Sequence, residues 1–243
     1  MLMSVVEGAR SAPAYPDLAG KRVLITGVSS ASGVDVARAF ADHRVRLILQ
    51  FAEESEAMQG VAEVVAPAAL DVEVYGPVGA DSEDIVQFSR TVAQSFGRLD
   101  AVINLVPLDA DRFDPAADAS TVERMVAERL LLPCLLSKIA ANRMALCHVD
   151  GLVLNIATLS AVRPGAAQSF AMVARAALAA MTRAQAQEWA GRGIRFNAIA
   201  PQTLAPASPS LCGEPDIAAL ALYLASERGK AHSGHMFEAE PIR

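Results

Sequence analysis

The stretch Lys21–Gly33, KRVLITGVSSASG, decides the fold. Lys21–Thr26 runs into continuous apolar residues and stops at Gly27, the pattern of a strand buried on both faces in a parallel sheet. A small-residue loop follows. From Ser32 to Asp42, Val36, Ala39 and Phe40 then recur at helical spacing. Strand, glycine turn and helix in immediate succession open a unit that can hold phosphate, because the first N–H groups of a helix and its dipole attract anions.

The same alternation continues along the chain. Strands are predicted at Val45–Gln50, Val72–Tyr75, Ala101–Val106, Leu152–Ala157, Arg195–Ala200 and near His235–Glu238. Helices are predicted at Glu53–Ala66, Ser82–Phe96, Thr121–Leu146 (with Pro133 as a kink or boundary), Ala167–Ala190 and Asp216–Ser226. Repeating βα units imply a single Rossmann-fold α/β domain, a doubly wound parallel sheet of about seven strands with helices on both faces. Residues 17–243 form that domain, and 1–16, rich in Ala, Pro and Gly, read as an N-terminal surface arm. Ligands of such sheets bind beyond the carboxyl ends of the strands.

Composition narrows the function classes. The net charge of −6 and the absence of a basic stripe argue against a nucleic-acid surface. Apolar residues make up 53 %, yet no run approaches the roughly 18 residues that span a bilayer, so no membrane insertion is expected. The N-terminus has neither the basic nor the apolar region of a signal peptide, which suggests a cytoplasmic protein. Cys134, Cys147 and Cys212 form no CxxC pair and no zinc spacing with His43, His148, His232 and His235. No metal site is expected. The thiols are read as reduced and buried, the histidines as surface or loop residues, and Trp189 as packing a helix end.

Six ordered blocks carry a family resemblance: DLAGKRVLITG (Asp17–Gly27), SFGRLDAVIN (Ser95–Asn104), GLVLNIAT (Gly151–Thr158), GIRFNAIAP (Gly193–Pro201), LALYLAS (Leu220–Ser226) and HSGHMFEAE (His232–Glu240). Over Asp17–Arg243 the chain resembles the short-chain dehydrogenase/reductase (SDR) family. The resemblance implies NAD or NADP binding at Thr26, Gly27, Gly33 and Asn104. It also implies a proton relay in which tyrosine is the acid/base, lysine lowers its pKa, serine orients the carbonyl and asparagine holds a water.

The register set by those blocks exposes departures. The loop TGxxxGxG reads TGVSSASG, with Ala31 at the central glycine, Ser32 beside it and Asp35 in the first helical turn. The second strand ends Gln50-Phe51, without an acid for a ribose hydroxyl. The aspartate near the adenine maps to Val78, NNAG has become Asn104-Leu105-Val106-Pro107, and the carboxamide-holding threonine maps near Pro206. The relay is altered further: Ala171 stands at the tyrosine, Arg175 at the lysine, Arg129 at the asparagine and Thr158 at the serine. A one-residue slip offers Phe170 and Ala174, again without a phenol. Halohydrin dehalogenases carry an arginine at the lysine position but keep the tyrosine, and the wider spacing of enoyl reductases meets Gln168. The segment Pro201–Pro215 is short for a substrate lid. Asp109, Asp111 and Asp114 are read as a solvated loop.

The expectation is therefore a catalytically impaired or inactive SDR-like subunit with no NAD(P) bound, or only weak binding. Its long helices would associate as a homo-oligomer, or as a hetero-oligomer with an active SDR subunit. The alternative is rebuilt chemistry on the remnant positions Thr158, Arg175 and Arg129, with Arg175 equally able to attract an anionic ligand or to pair with a carboxylate.

Overall fold

The structure, a computed structural model, describes residues 14–29, 33–54, 56–79, 81–107, 120, 126–158, 166–201 and 214–239. Seven strands form one sheet: β1 (Arg22–Val28), β2 (Arg46–Phe51), β3 (Asp71–Tyr75), β4 (Ala101–Pro107), β5 (Leu152–Thr158), β6 (Arg195–Pro201) and β7 (Met236–Ala239). Their order is β3-β2-β1-β4-β5-β6-β7, and every neighbouring pair is parallel. The helices are α1 (Val34–Asp42), α2 (Glu56–Val65), α3 (Ser82–Val92), α4 (Leu132–Leu146), α5 (Ala166–Trp189) and α6 (Glu214–Ala225). This is the single doubly wound domain the alternation implies.

Each strand of the sheet centre is apolar on both sides because each face is covered. One core joins Val23, Ile25, Leu47, Ile103 and Leu154 to Val36 and Phe40 of α1 and to Ala221 and Leu224 of α6. The other joins Leu24, Ile48, Val102 and Val153 to Val92 of α3, Leu136 and Met144 of α4, and Trp189 of α5. Burial of such side chains contributes about 25 cal/mol per Å² of apolar surface, the main term holding helices to sheet. Strand order reverses at β1, whose neighbours are β2 and β4, so a crevice opens between the carboxyl ends of β1 and β4.

Several boundaries differ from the sequence reading. The first helix starts at Val34, not Ser32, because Gly33 caps it at φ 92°. The helix predicted to Phe96 ends at Val92. Phe96 sits at φ 50° in a short 3-10 turn, Ser95–Gly97, with the Arg46 guanidinium over its ring. In the long helix predicted from Thr121, a π-helical turn at Ala127–Leu131 leads into α4. Pro133 has no N–H to give the carbonyl four residues back, and a wider turn there relieves the ring's clash with it. Ser226, predicted as helical, caps the 3-10 turn Glu227–Gly229, its hydroxyl accepting from Arg228 N.

Other expectations shift too. His43, read as a surface or loop residue, lies in the turn after α1 and is buried there, with Nδ1 2.7 Å from Ala39 O. Cys134 and Cys147 are free but half-buried rather than buried. Trp189 does close a helix and is 5 % exposed. The arm's residues 1–13, Ala31, Ser32, the aspartates 109, 111 and 114, Cys212, Pro206 and the lid between Pro201 and Glu214 lie outside the described residues, as do the side chains of Gln168 and Phe170.

Candidate functional site

Two glycines shape the mouth of the crevice. Gly27 has φ 75° at a register shift between β1 and β2. A Cβ there would run into the Leu105 carbonyl. Gly33 has φ 92°, and a Cβ on it would run into the Leu105 side chain, which packs directly beneath the start of α1. Leu105 is 5 % exposed. The close approach that glycine permits is thus used by an apolar side chain of the chain itself. Asp35 lies in the first turn of α1, where the helix dipole favours its carboxylate.

The polar residues at this end of the sheet are largely engaged with one another. Thr26, Asn104 and Asn155 are in register across β1, β4 and β5. Thr26 Oγ1 donates to Asn104 Oδ1 at 3.0 Å. Asn104 Nδ2 donates to Asn155 Oδ1 at 2.8 Å and to Ser137 Oγ of α4 at 3.3 Å. All four residues are buried. A buried amide without such partners would cost about 1–3 kcal/mol, so Asn104 has a structural role whatever else it does.

Gln50 does more than lack an acid. Its Oε1 accepts from Gly27 N at 2.9 Å, and its Nε2 donates to Phe51 O and, at 3.3 Å, to Gly76 O. One buried side chain therefore ties the β1 turn to the end of β2 and the exit of β3. In the sequence Gln50 shows only as a missing carboxylate; its position one residue before the end of the strand is the available signal. Between these groups remains a cavity of about 180 Å³ lined by Thr26, Gly27, Gln50, Val78 and Asn104. Its outer wall includes Pro107 and Pro133.

The remnant catalytic positions separate into two groups. Arg129, in the π turn, donates from Nε to Pro107 O at 3.1 Å. Pro107 is the register partner of Thr158, so Arg129 and Thr158 stand together at the ends of β4 and β5. Thr158 is half-buried, and among the described residues its hydroxyl makes no hydrogen bond. Arg175 goes elsewhere: Nη2 donates to Glu238 Oε1 of β7 at 2.7 Å. Arg175 therefore has a carboxylate partner, on a strand and not in a helix interface. Because β6 lies between β5 and β7, the strand that carries Glu238 runs about 10 Å across the sheet from that of Thr158.

Ala171 is fully buried and belongs, with Ala174 and Leu178 of α5, to a small apolar cluster against Val106, Ala157 and Ala200. The tyrosines of the chain are Tyr15, Tyr75 and Tyr223. Tyr15 precedes β1, Tyr75 ends β3 and Tyr223 lies in α6, so no phenol comes from α5. Among the described residues no His, Cys, Asp and Glu cluster has the geometry to hold a metal ion.

Residues 21–209 match the family described as short chain dehydrogenase. The chain belongs to that family. Among its relatives, galactitol 2-dehydrogenase (L-tagatose-forming) of Cereibacter sphaeroides is 30 % identical over 86 % of this chain and 89 % of its own. A short-chain type dehydrogenase/reductase from Mycobacterium marinum superposes with a TM-score of 0.78 at 22 % identity, covering 93 % and 95 % of the two chains. An NADH-dependent reductase, A1-R', complexed with NAD, superposes with a TM-score of 0.77 at 18 % identity, covering 93 % and 97 %. The short-chain dehydrogenase fold is thus present over essentially the whole described chain. Among the described residues no helix is long and apolar enough to cross a membrane.

Proposed function

We propose that this short-chain dehydrogenase family member does not carry out the family's hydride transfer itself. In this reading it is a non-catalytic subunit that associates with a second copy or with an active sibling. The observation that carries the reading is Ala171: a buried methyl group, sealed against Val106, Ala157 and Ala200, stands where the relay needs a phenol with access to substrate. Arg175, at the lysine position, is paired with Glu238.

A nicotinamide dinucleotide, the cofactor named for the NADH-dependent relative, fits these residues poorly. Ligand cavities usually enclose about 300–1,000 Å³, and the cavity lined by the described residues of the crevice is about 180 Å³. Gln50 Oε1 already accepts from the Gly27 N–H, and Ala31 stands at the central glycine of the loop.

The exposed apolar side chains Val126, Met172 and Val173 support the assembly half of the proposal. They lie next to α4 and on α5, the two long helices that the family resemblance assigns to a subunit interface. The proposed compartment is the cytoplasm. Calorimetric titration of the purified chain with NADH and NADPH is the direct test. No measurable heat is expected up to millimolar nucleotide, and a micromolar dissociation constant for either would overturn the reading.

The second reading, rebuilt chemistry, draws on the adjacency of Arg129 and Thr158 through Pro107. It predicts turnover of a small carbonyl or anionic substrate that Thr158→Val abolishes without loss of fold.

A further inference from the structure

An open cavity of about 660 Å³ lies at the opposite end of the sheet from the crevice. It is bounded by the carboxyl end of α5, the start of β6 and the turn before β7. Its polar lining is mostly donors: Arg183, Gln187, Arg195, Lys230 and Ser233, with Asp150 as the carboxylate. That is unusual for a chain of net charge −6.

Arg195 is the fixed element. Its Nη1 donates to Leu224 O at 2.8 Å and to Gly229 O at 2.9 Å, which sets the plane of the guanidinium. Burial pushes its pKa down from the ordinary arginine value, while Glu227 and Asp150 act the other way. No carboxylate among the described residues comes within ion-pair distance of it. Glu227 is instead taken by Lys230 at 2.6 Å.

Arg183 makes no hydrogen bond or ion pair among the described residues, nor does Gln187. Ser233 Oγ accepts from Phe196 N at 3.3 Å, which leaves its own O–H to donate. A preset, partly desolvated guanidinium that lines the same cavity as an unpaired one suits a planar or tetrahedral oxyanion, since arginine forks bind carboxylate and phosphate through paired N–H groups. The volume falls in the range of small-molecule sites.

We propose that this cavity binds a phosphate- or carboxylate-bearing small molecule, with Arg183 and Arg195 as the anion clamp. The site is independent of whether the crevice binds a dinucleotide. Trp189, the single tryptophan, is one residue from the cavity-lining Ala190 and under the Arg192 guanidinium, so its emission reports on occupancy.

The test is a fluorescence titration of the full chain with inorganic phosphate, pyrophosphate and citrate at constant ionic strength, chloride making up the balance. A saturable change is expected with at least one probe. Arg183→Ala should weaken it about tenfold, the loss of a charge-assisted contact, whereas Arg90→Ala, exposed on α3, should leave it as in the parent. The ranking of pyrophosphate against citrate then says which oxyanion the clamp prefers. No saturable change with any probe, or one that Arg183→Ala leaves intact, would overturn the proposal.

Discussion

Arg175 and Glu238 form an ion pair, Nη2 to Oε1 at 2.7 Å, that bridges α5 to the edge strand β7. The arginine that stands in the relay's lysine position therefore acts as a tether between elements. The pair is partly exposed, with the Arg175 and Glu238 side chains 20 % and 45 % accessible, so solvent screening keeps its value modest. Glu238→Gln should lower unfolding free energy by about 0.5–1 kcal/mol in urea titrations, and by less in high salt. A loss that is the same at low and high salt would show that the contact works by packing and not by charge.

Gly33 and Leu105 should behave as one unit. Gly33→Ala places a methyl group against Leu105 and demands a left-handed backbone of a residue with a Cβ, a cost of about 2 kcal/mol. Leu105→Ala leaves a cavity and costs about 2–4 kcal/mol. The double variant should be more stable than the sum of the two losses, because the smaller residue 105 makes room for the new methyl. Strict additivity in denaturant titrations would mean that the backbone, not the contact, sets the cost at Gly33.

Reinstating a tyrosine is expected to fail. Ala171→Tyr forces a phenol into the cluster of Val106, Ala157 and Ala200, where overpacking costs about 1–3 kcal/mol or more. The variant should melt at a lower temperature and show no NAD(P)H oxidation with carbonyl substrates. Activity in a stable variant would mean that the crevice is open enough to accept both phenol and cofactor, and would remove the main support for a non-catalytic role.

Acid stability should depend on Asp81. Its carboxylate caps α3 by accepting from Glu83 N and Asp84 N, and the hydrogen bond from Asp84 N is the main cause that holds its pKa below the ordinary value. Since the folded pKa is depressed, the cap's contribution is complete above the unfolded value and drains away as the pH falls through the folded one. Asp84 is shifted the other way, chiefly by the charge of Asp81. Asp81→Asn keeps a capping oxygen and should flatten the stability profile below about pH 4. An unchanged profile would place the acid sensitivity in other carboxylates.

Much of the site was legible because it rests on local pattern. Gly27 and Gly33 mark a strand–turn–helix unit wherever they occur at that spacing, and both adopt the positive φ that only glycine takes readily. Ala171 could be placed by counting from Thr158, thirteen residues upstream. What those positions touch was not legible. Nothing local says that Arg175 finds Glu238, 63 residues away, or that Asn104 is committed to Thr26, Ser137 and Asn155. The end of α3 was misread for a related reason: Phe96 fits the helical stripe, yet the chain turns at Ala93 and Gln94 so that Phe96 can meet Arg46 of β2.

The sequence by itself determined the order of strands and helices, the doubly wound class and the lack of a tyrosine on α5. Hydrophobic period, glycine position and residue identity are properties of short segments, readable without partners. The tertiary structure decided how the Gly27–Gly33 turn is used. Long-range packing brings Leu105 of β4 under Gly33 and the Gln50 amide onto Gly27 N–H. The partners of Gly33 and of the Gly27 N–H come from residues 72 and 23 positions away, a choice that exists only once the strands lie side by side.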